Sequence, residues 1–195
     1  SVSYEEGTLS VIKATITLKL LDKTKVYDGI LFKSNEVEEI ELINTLGYTI
    51  LVNTFSDAIN VGTHNNKIIS HKIYDSNSSD VSLNFEVIYI DGNLEITKRE
   101  ITVRSNSNTF VYNRLDHSDS KFEVINGNLV VDDLLVVTSS NLVRDVGIYE
   151  NYQEYQVLNN KDLVITENYD IKKVLGELEV VKALYTISSI YEDVV

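Results

Sequence analysis

One feature constrains this chain more than any other: an internal period of 84–85 residues. The segments Gly7-Thr8-Leu9-Ser10-Val11-Ile12-Lys13, Gly92-Asn93-Leu94-Glu95-Ile96-Thr97-Lys98 and Gly176-Glu177-Leu178-Glu179-Val180-Val181-Lys182 share one pattern, and their glycines lie 85 and then 84 residues apart. Other landmarks keep the spacing. Val26-Tyr27-Asp28 matches Val111-Tyr112-Asn113, Asn60-Val61-Gly62 matches Asp145-Val146-Gly147, and Asn84-Phe85 matches Asn168-Tyr169. Four kinds of landmark in one order at nearly constant spacing identify tandem units. The period places one unit at 14–98 and another at 99–182. Residues 1–13 read as the end of a preceding repeat. Residues 183–195 read as the start of a following one, because Leu184-Tyr185-Thr186-Ile187 echoes Ala14-Thr15-Ile16-Thr17. Lys98-Arg99-Glu100 joins two strand-like runs without Gly or Pro, which predicts a stiff junction.

Within each unit the apolar residues alternate with polar ones, the period of a half-buried strand. Thr15–Leu20, Thr49–Val52, Lys67–Ile69, Phe85–Ile88 and Leu94–Ile96 read as strands in the first unit. Ile101–Val103, Leu134–Val137, Tyr155–Leu158, Tyr169–Ile171 and Leu178–Val180 read as strands in the second. β-Branched residues and tyrosines fill these runs. Asp28-Gly29, Asp91-Gly92 and Asn126-Gly127 supply turn chemistry. Helix is scarce. Val37–Ile43, with Ser34 as N-cap, predicts two helical turns, and the matching stretch 129–134 predicts a second short helix. The expected fold class is therefore mainly β, α+β at most: two small β-rich domains, each a twisted sheet with one short helix.

These landmarks resemble the mirror β-grasp (MBG) repeat family across both units. A family unit ends in a Gly-x-Leu-x-Ile-x-Lys strand, and the next begins with an Ile-Thr-Val-type strand. A Tyr-Asp-Gly turn, an Asp-x-Gly-Thr-Tyr-like element and an Asn-Tyr-Asp/Glu-Ile run follow. Tyr27-Asp28-Gly29 and Val61-Gly62-Thr63 carry the likeness in the first unit; Asp145-Val146-Gly147-Ile148-Tyr149 and Asn168-Tyr169-Asp170-Ile171 carry it in the second. Arg114 departs from the pattern where the turn glycine is expected, and Asn84-Phe85-Glu86-Val87 is a looser version of its motif. The resemblance implies a β-grasp-like sheet and no catalytic residue. It also implies a place in large secreted or wall-attached bacterial surface proteins of adhesin type.

Composition narrows the function classes. Thirty acidic residues against 17 basic give a net charge of −13, opposite to what nucleic acid or an anionic membrane surface attracts. The charge is shared, at −5 in each unit. No Cys is present, which removes disulfides, thiolate nucleophiles and zinc thiolate sites. No apolar run is long enough to span a bilayer. No Met is present, and we expect an internal stretch of a longer protein. The absence of Pro and the abundance of Ile, Asn, Lys and Tyr are compatible with an AT-rich bacterial genome.

No constellation selects a reaction. His64, His71 and His117 are the only histidines; the first two are seven apart, so on one regular strand they face opposite ways, and we read all three as loop or surface imidazoles. Asp132-Asp133, Asp116 with Asp119, and Asp75 with Asp80 form no calcium loop and read as solvated surface acids. Thirty evenly spread carboxylates select no glycosidase pair. Neither a nucleophile elbow nor a phosphate-cradling glycine loop occurs. Tyr27 and Tyr112 sit beside a turn in both units and suit packing better than stacking on a ligand. Asn77-Ser78-Ser79 matches a glycosylation acceptor pattern that carries no weight in a bacterial chain.

The expected function is that of a non-catalytic stalk or spacer at the bacterial cell surface, presenting a distal adhesive region. No metal or cofactor is expected; its partners are neighbouring repeats of the same chain, with a protein or glycan ligand for the parent protein, and neither nucleic acid nor an inserted membrane. Two alternatives remain at this point. The repeats themselves bind a host protein or glycan, or the segment is an accessory to a surface enzyme.

Overall fold

Every run singled out for its alternation forms a strand, because an alternating segment buries a full apolar face only when extended and paired. In the computed structural model, which describes residues 2–187, the chain is mainly β and divides into two compact units, Ser1–Thr97 and Lys98–Val195. The first unit runs β1 (Ala14–Lys19), β2 (Lys23–Val26), α1 (Glu41–Leu46), β3 (Thr49–Phe55), β4 (Gly62–Tyr74), β5 (Phe85–Ile90) and β6 (Gly92–Thr97). The second runs β7 (Arg99–Ser105), β8 (Asn108–Val111), β9 (Phe122–Gly127), β10 (Leu134–Ser140), β11 (Gly147–Asn151), β12 (Gln153–Leu158), β13 (Tyr169–Val174) and β14 (Gly176–Val181).

The same ladders recur inside each unit. β1 lies parallel to β5 with Ala14 opposite Phe85, and β7 lies parallel to β13 with Arg99 opposite Tyr169. β6 is bonded on both edges, to β2 in parallel and to β4 in antiparallel sense. β14 is likewise held between β8 and β11. β3 completes the first unit on the far half of β4, and β10 pairs with β12 in the second. β6 and β14 carry fully buried residues, Leu94 and Ile96 in the one, Leu178 and Val180 in the other; β7, held between β13 and β9, does the same with Ile101 and Val103. Around Leu18, Leu20, Ile43, Val52, Ile73 and Phe85 the first unit closes its larger core.

The expected helices are only half realised. α1 begins at Glu41, not near Val37, and its N-cap is Ile40 with no side-chain cap. Val37 is held in extended form by an antiparallel bridge to Leu20, and the Ser34 hydroxyl accepts the Glu36 N–H in a local turn. The helix stops at Gly47, whose φ of 68° lets the N–H groups of Gly47 and Tyr48 reach the Asn44 and Ile43 carbonyls. The second unit has no α-helix among its described residues. Strand β9 and a turn occupy that place. Asn126-Gly127 is drawn into β9 by its pairing with β7, with Gly127 at φ 73°, and one further contact differs. Phe85 of the first unit meets Tyr48 edge-on below the helix, whereas its counterpart Tyr169 carries a hydroxyl that accepts the Val130 N–H and donates to Asp133. That pair of hydrogen bonds fixes the 129–133 segment as a turn. Asn126-Gly127, expected as a turn, instead closes β9.

Two further expectations meet the chain's ends. Gly7–Lys13 forms no strand: it is exposed and has neither of the two neighbours that hold its counterparts β6 and β14. Of the stretch 183–195, residues 183–187 carry no regular element, and 188–195 lie outside the described residues.

The landmark glycines have steric causes. A Cβ on Gly176 would stand 2.4 Å from the Ser105 carbonyl oxygen and 2.5 Å from that of Asn106. A Cβ on Gly92 would meet the Leu20 Cβ at 2.9 Å. Gly29 has φ 73°, and Arg114 keeps the same left-handed course at φ 67° with a side chain that disfavours it.

Gly176→Ala should therefore destabilise the second unit by about 1–3 kcal/mol, since backbone and not a flexible side chain must move. Arg114→Gly should stabilise it by roughly 1 kcal/mol, less the entropy that glycine adds to the unfolded chain, and Gly29→Arg should cost the first unit a similar amount. Urea titration of the three variants measures all of these; a loss of stability in Arg114→Gly contradicts the account.

Candidate functional site

The buried polar groups show what the two units share. Asn66 and Asn151, 85 residues apart, are both fully buried. Each stands directly across the ladder from a landmark glycine, Asn66 opposite Gly92 and Asn151 opposite Gly176. The missing Cβ leaves room for the amide. Asn66 Nδ2 donates to the Ser34 carbonyl at 2.7 Å; Asn151 Nδ2 donates to the carbonyls of Asn106 and Asp119, at 2.8 and 3.1 Å. Ser34 and Asp119 are themselves one period apart. The carbonyl acceptors fix the amide orientation, and neither Oδ1 has a hydrogen-bond partner. This pair escaped the sequence reading. Its signal was present: an asparagine repeated at the same 85-residue period, on the strand that pairs with the Gly-x-Leu strand.

The same hydrogen bonds recur elsewhere. Ser82 Oγ accepts the Ile73 N–H, and Thr166 Oγ1 accepts the Val157 N–H. Asp75 Oδ1 accepts two backbone N–H groups in its loop, from Asn77 and Ser79, and Asn159 Oδ1 does so from Lys161 and Leu163. Asp28 Oδ1 accepts the Ile30 N–H, and Asn113 Oδ1 accepts that of Leu115. These side chains close turns.

Of the singled-out acids all but Asp132 are likewise engaged, and Asp132 sits in a turn at φ 70°. Asp116 pairs with Arg144 at 2.7 Å, Asp133 with the Tyr169 hydroxyl, and Asp80 with Ser82 and Lys72. The Ser82 hydroxyl and N–H, with Lys72, hold the Asp80 carboxyl down at about 2. Asp119 is not a solvated surface acid as expected: it is 6% exposed. Burial would raise its pKa, but the Asn106 amide, the Lys121 N–H and the Asn108 amide outweigh this and hold it below the ordinary value.

Two of the three histidines lie on a strand, and His117 lies between β8 and β9, bridged to Val143. His64 and His71 both lie on β4, half-buried, with Ile69 as an extra bulge residue between them. The bulge restarts the alternation, so the two share the inward-leaning face instead of opposing one another. His64 contacts the Asn60 carbonyl at 2.8 Å and His71 the Tyr89 hydroxyl at 2.6 Å. His117 stacks on Phe110 and reaches Asn113 Oδ1. Among the described residues no three His, Asp or Glu side chains converge as metal ligands, and no helix is long and apolar enough to cross a membrane. Tyr27 is buried and Tyr112 packs against Val143, Leu178 and Val180.

A cleft of about 420 Å³ in the second unit is lined by Tyr112, Asn113, Arg114, Val146, Lys182, Ala183 and Tyr185. Its floor is the left-handed turn, and its far side is the segment that leaves β14. Comparison with family models, with curated proteins and with solved structures gives no match.

Asn151→Ala leaves the Asn106 carbonyl without this donor in a buried setting and should cost the second unit about 1–3 kcal/mol, with Asn66→Ala matching it in the first. Acid should act through the carboxyls held low, Asp28, Asp80, Asp116 and Asp119. Their folded-state values lie below the unfolded ones, so their contribution is present above about pH 4 and is lost as pH falls through the folded values. Unfolding free energy should thus stay flat from neutrality to about pH 4 and drop below it. Asp119→Asn should flatten the drop, and urea titrations across that range read the difference.

Proposed function

We propose that this chain is a non-catalytic spacer: two repeats of a β scaffold within a longer bacterial surface protein, setting the distance at which another region is presented. One observation carries the reading. What the two units hold in common is scaffold: the Asn–Gly pairs, the turn-closing side chains and the doubly bonded strand. What sits on their surfaces differs. A reaction shared by repeats would leave its residues at the 85-residue period; the polar groups that do recur are committed to backbone carbonyls and N–H groups. The length of such an array is set by its number of folded units, each stable through its own core. The acidic surface of both units adds solubility and like-charge repulsion between neighbouring molecules.

The test is replacement in the parent protein. Exchanging residues 14–182 for two unrelated β domains of similar size should leave attachment of the bacterial cell to its target within about twofold, while deleting them without replacement should reduce it. Protease shaving of intact cells should release peptides from these units. Loss of attachment in the exchanged protein, or peptides found only after lysis, would overturn the reading.

A further inference from the structure

The cleft of the second unit holds two cations that nothing in the described structure neutralises. Acids outnumber bases 30 to 17, so partners are plentiful, and Lys19, Lys23, Lys25, Lys72, Arg144 and Lys173 each find one within 3.2 Å. Arg114 and Lys182, like Lys33, Lys67, Arg104, Lys121 and Lys161, find none among the described residues; what sets these two apart is that they share one cleft that no acidic residue lines. The third polar group is oriented to match. Asn113 Oδ1 is occupied by the Leu115 N–H and by His117 Nε2, which leaves its amide N–H groups as the free end. The lining side chains therefore present donors: a guanidinium, an ammonium, an amide and two phenols.

The backbone gives an independent indication. Arg114 sits at φ 67°, where the first unit has Gly29. Ser78, Asp132 and Asp162 share this conformation, but they are short polar side chains suited to turns, whereas a long cation in it points to a use for the side chain. In the first unit the neighbouring Lys25 is already paired with Asp28 at 2.5 Å, and no arginine stands at the turn.

We propose that this cleft binds the carboxylate of an acidic monosaccharide, a hexuronate. The guanidinium of Arg114 takes the carboxylate, Lys182 adds a second positive charge, and Asn113 donates to a ring hydroxyl. Tyr112 and Tyr185 offer the ring surface that the C–H face of a sugar covers and that a bare anion does not use. The volume of about 420 Å³ suits one sugar ring. The site belongs to the second unit alone and goes beyond the spacer reading, which stands or falls separately.

Titration of the isotopically labelled full chain with sodium glucuronate, followed by amide NMR, tests it, with glucose and acetate as parallel arms. Saturable shifts are expected at Asn113, Arg114 and Lys182, with glucose and acetate binding at least about tenfold more weakly because each lacks half of the recognised chemistry. Arg114→Gly should weaken glucuronate about tenfold or more while unfolding no earlier than the parent chain, which separates lost binding from lost folding. Lys182→Gln should weaken it with an unchanged melting temperature. Equal response to glucose, equal response to acetate, indifference to Arg114→Gly, matching shifts around Gly29, or no saturable response at all would each overturn the proposal.

Discussion

A strand bonded on both edges is the constraint from which the rest of each unit follows. β6 and β14 receive a parallel neighbour on one side and an antiparallel one on the other. Every backbone N–H and C=O of such a strand has a fixed direction, so its first residue must fit against whatever the adjoining strands place there. In both units that residue is glycine, and the residue across the ladder is a buried asparagine. The amide then ties down a carbonyl at the start of the next segment, Ser34 or Asp119. Glycine supplies the space, asparagine fills it, and the carbonyl it holds sets where the chain re-enters the sheet. Unlike a purely apolar contact, this arrangement is directional, so it specifies register as well as contributing stability.

Much of the fold was legible because burial and alternation speak the same language. Leu94-Glu95-Ile96 and Leu178-Glu179-Val180 could be read as strands, and the period made the two units visible. Other parts were not. β2 and β8 are four residues each, Lys23–Val26 and Asn108–Val111, with too few apolar side chains to show a pattern; they are strands because β6 and β14 offer them an edge. The bulge at Ile69 reverses the expected facing of His71, and a one-residue shift of that kind leaves no trace in composition. The helix expected in the second unit gave way to β9, which pairs with β7, and to a turn that the Tyr169 hydroxyl, absent from Phe85, ties through Val130 and Asp133. Asp119 looked like one more acid in an acidic chain; only the convergence of Asn106, Asn108 and the Lys121 N–H around it made its burial affordable.

The contrast between the units bears on function. The positions where they agree serve the backbone or the core, and the places where they diverge include the 29/114 turn and the segment that stands in place of the helix. Gly29 and Arg114 condense this contrast into one position with a shared backbone conformation. The first unit takes the unstrained residue; the second carries a charged side chain at a cost in stability and sets it beside Lys182 and two tyrosines. Repetition preserves the scaffold while leaving individual copies free to acquire surface chemistry.

Native-state amide hydrogen exchange, resolved residue by residue, tests the central claim most directly. If the doubly bonded strand and its Asn–Gly pair anchor each unit, the slowest amides will lie in β6, β14 and the strands that flank them, in matching positions one period apart. Slowest exchange in β3 and β10, or a protected β14 beside an unprotected β6, would contradict it.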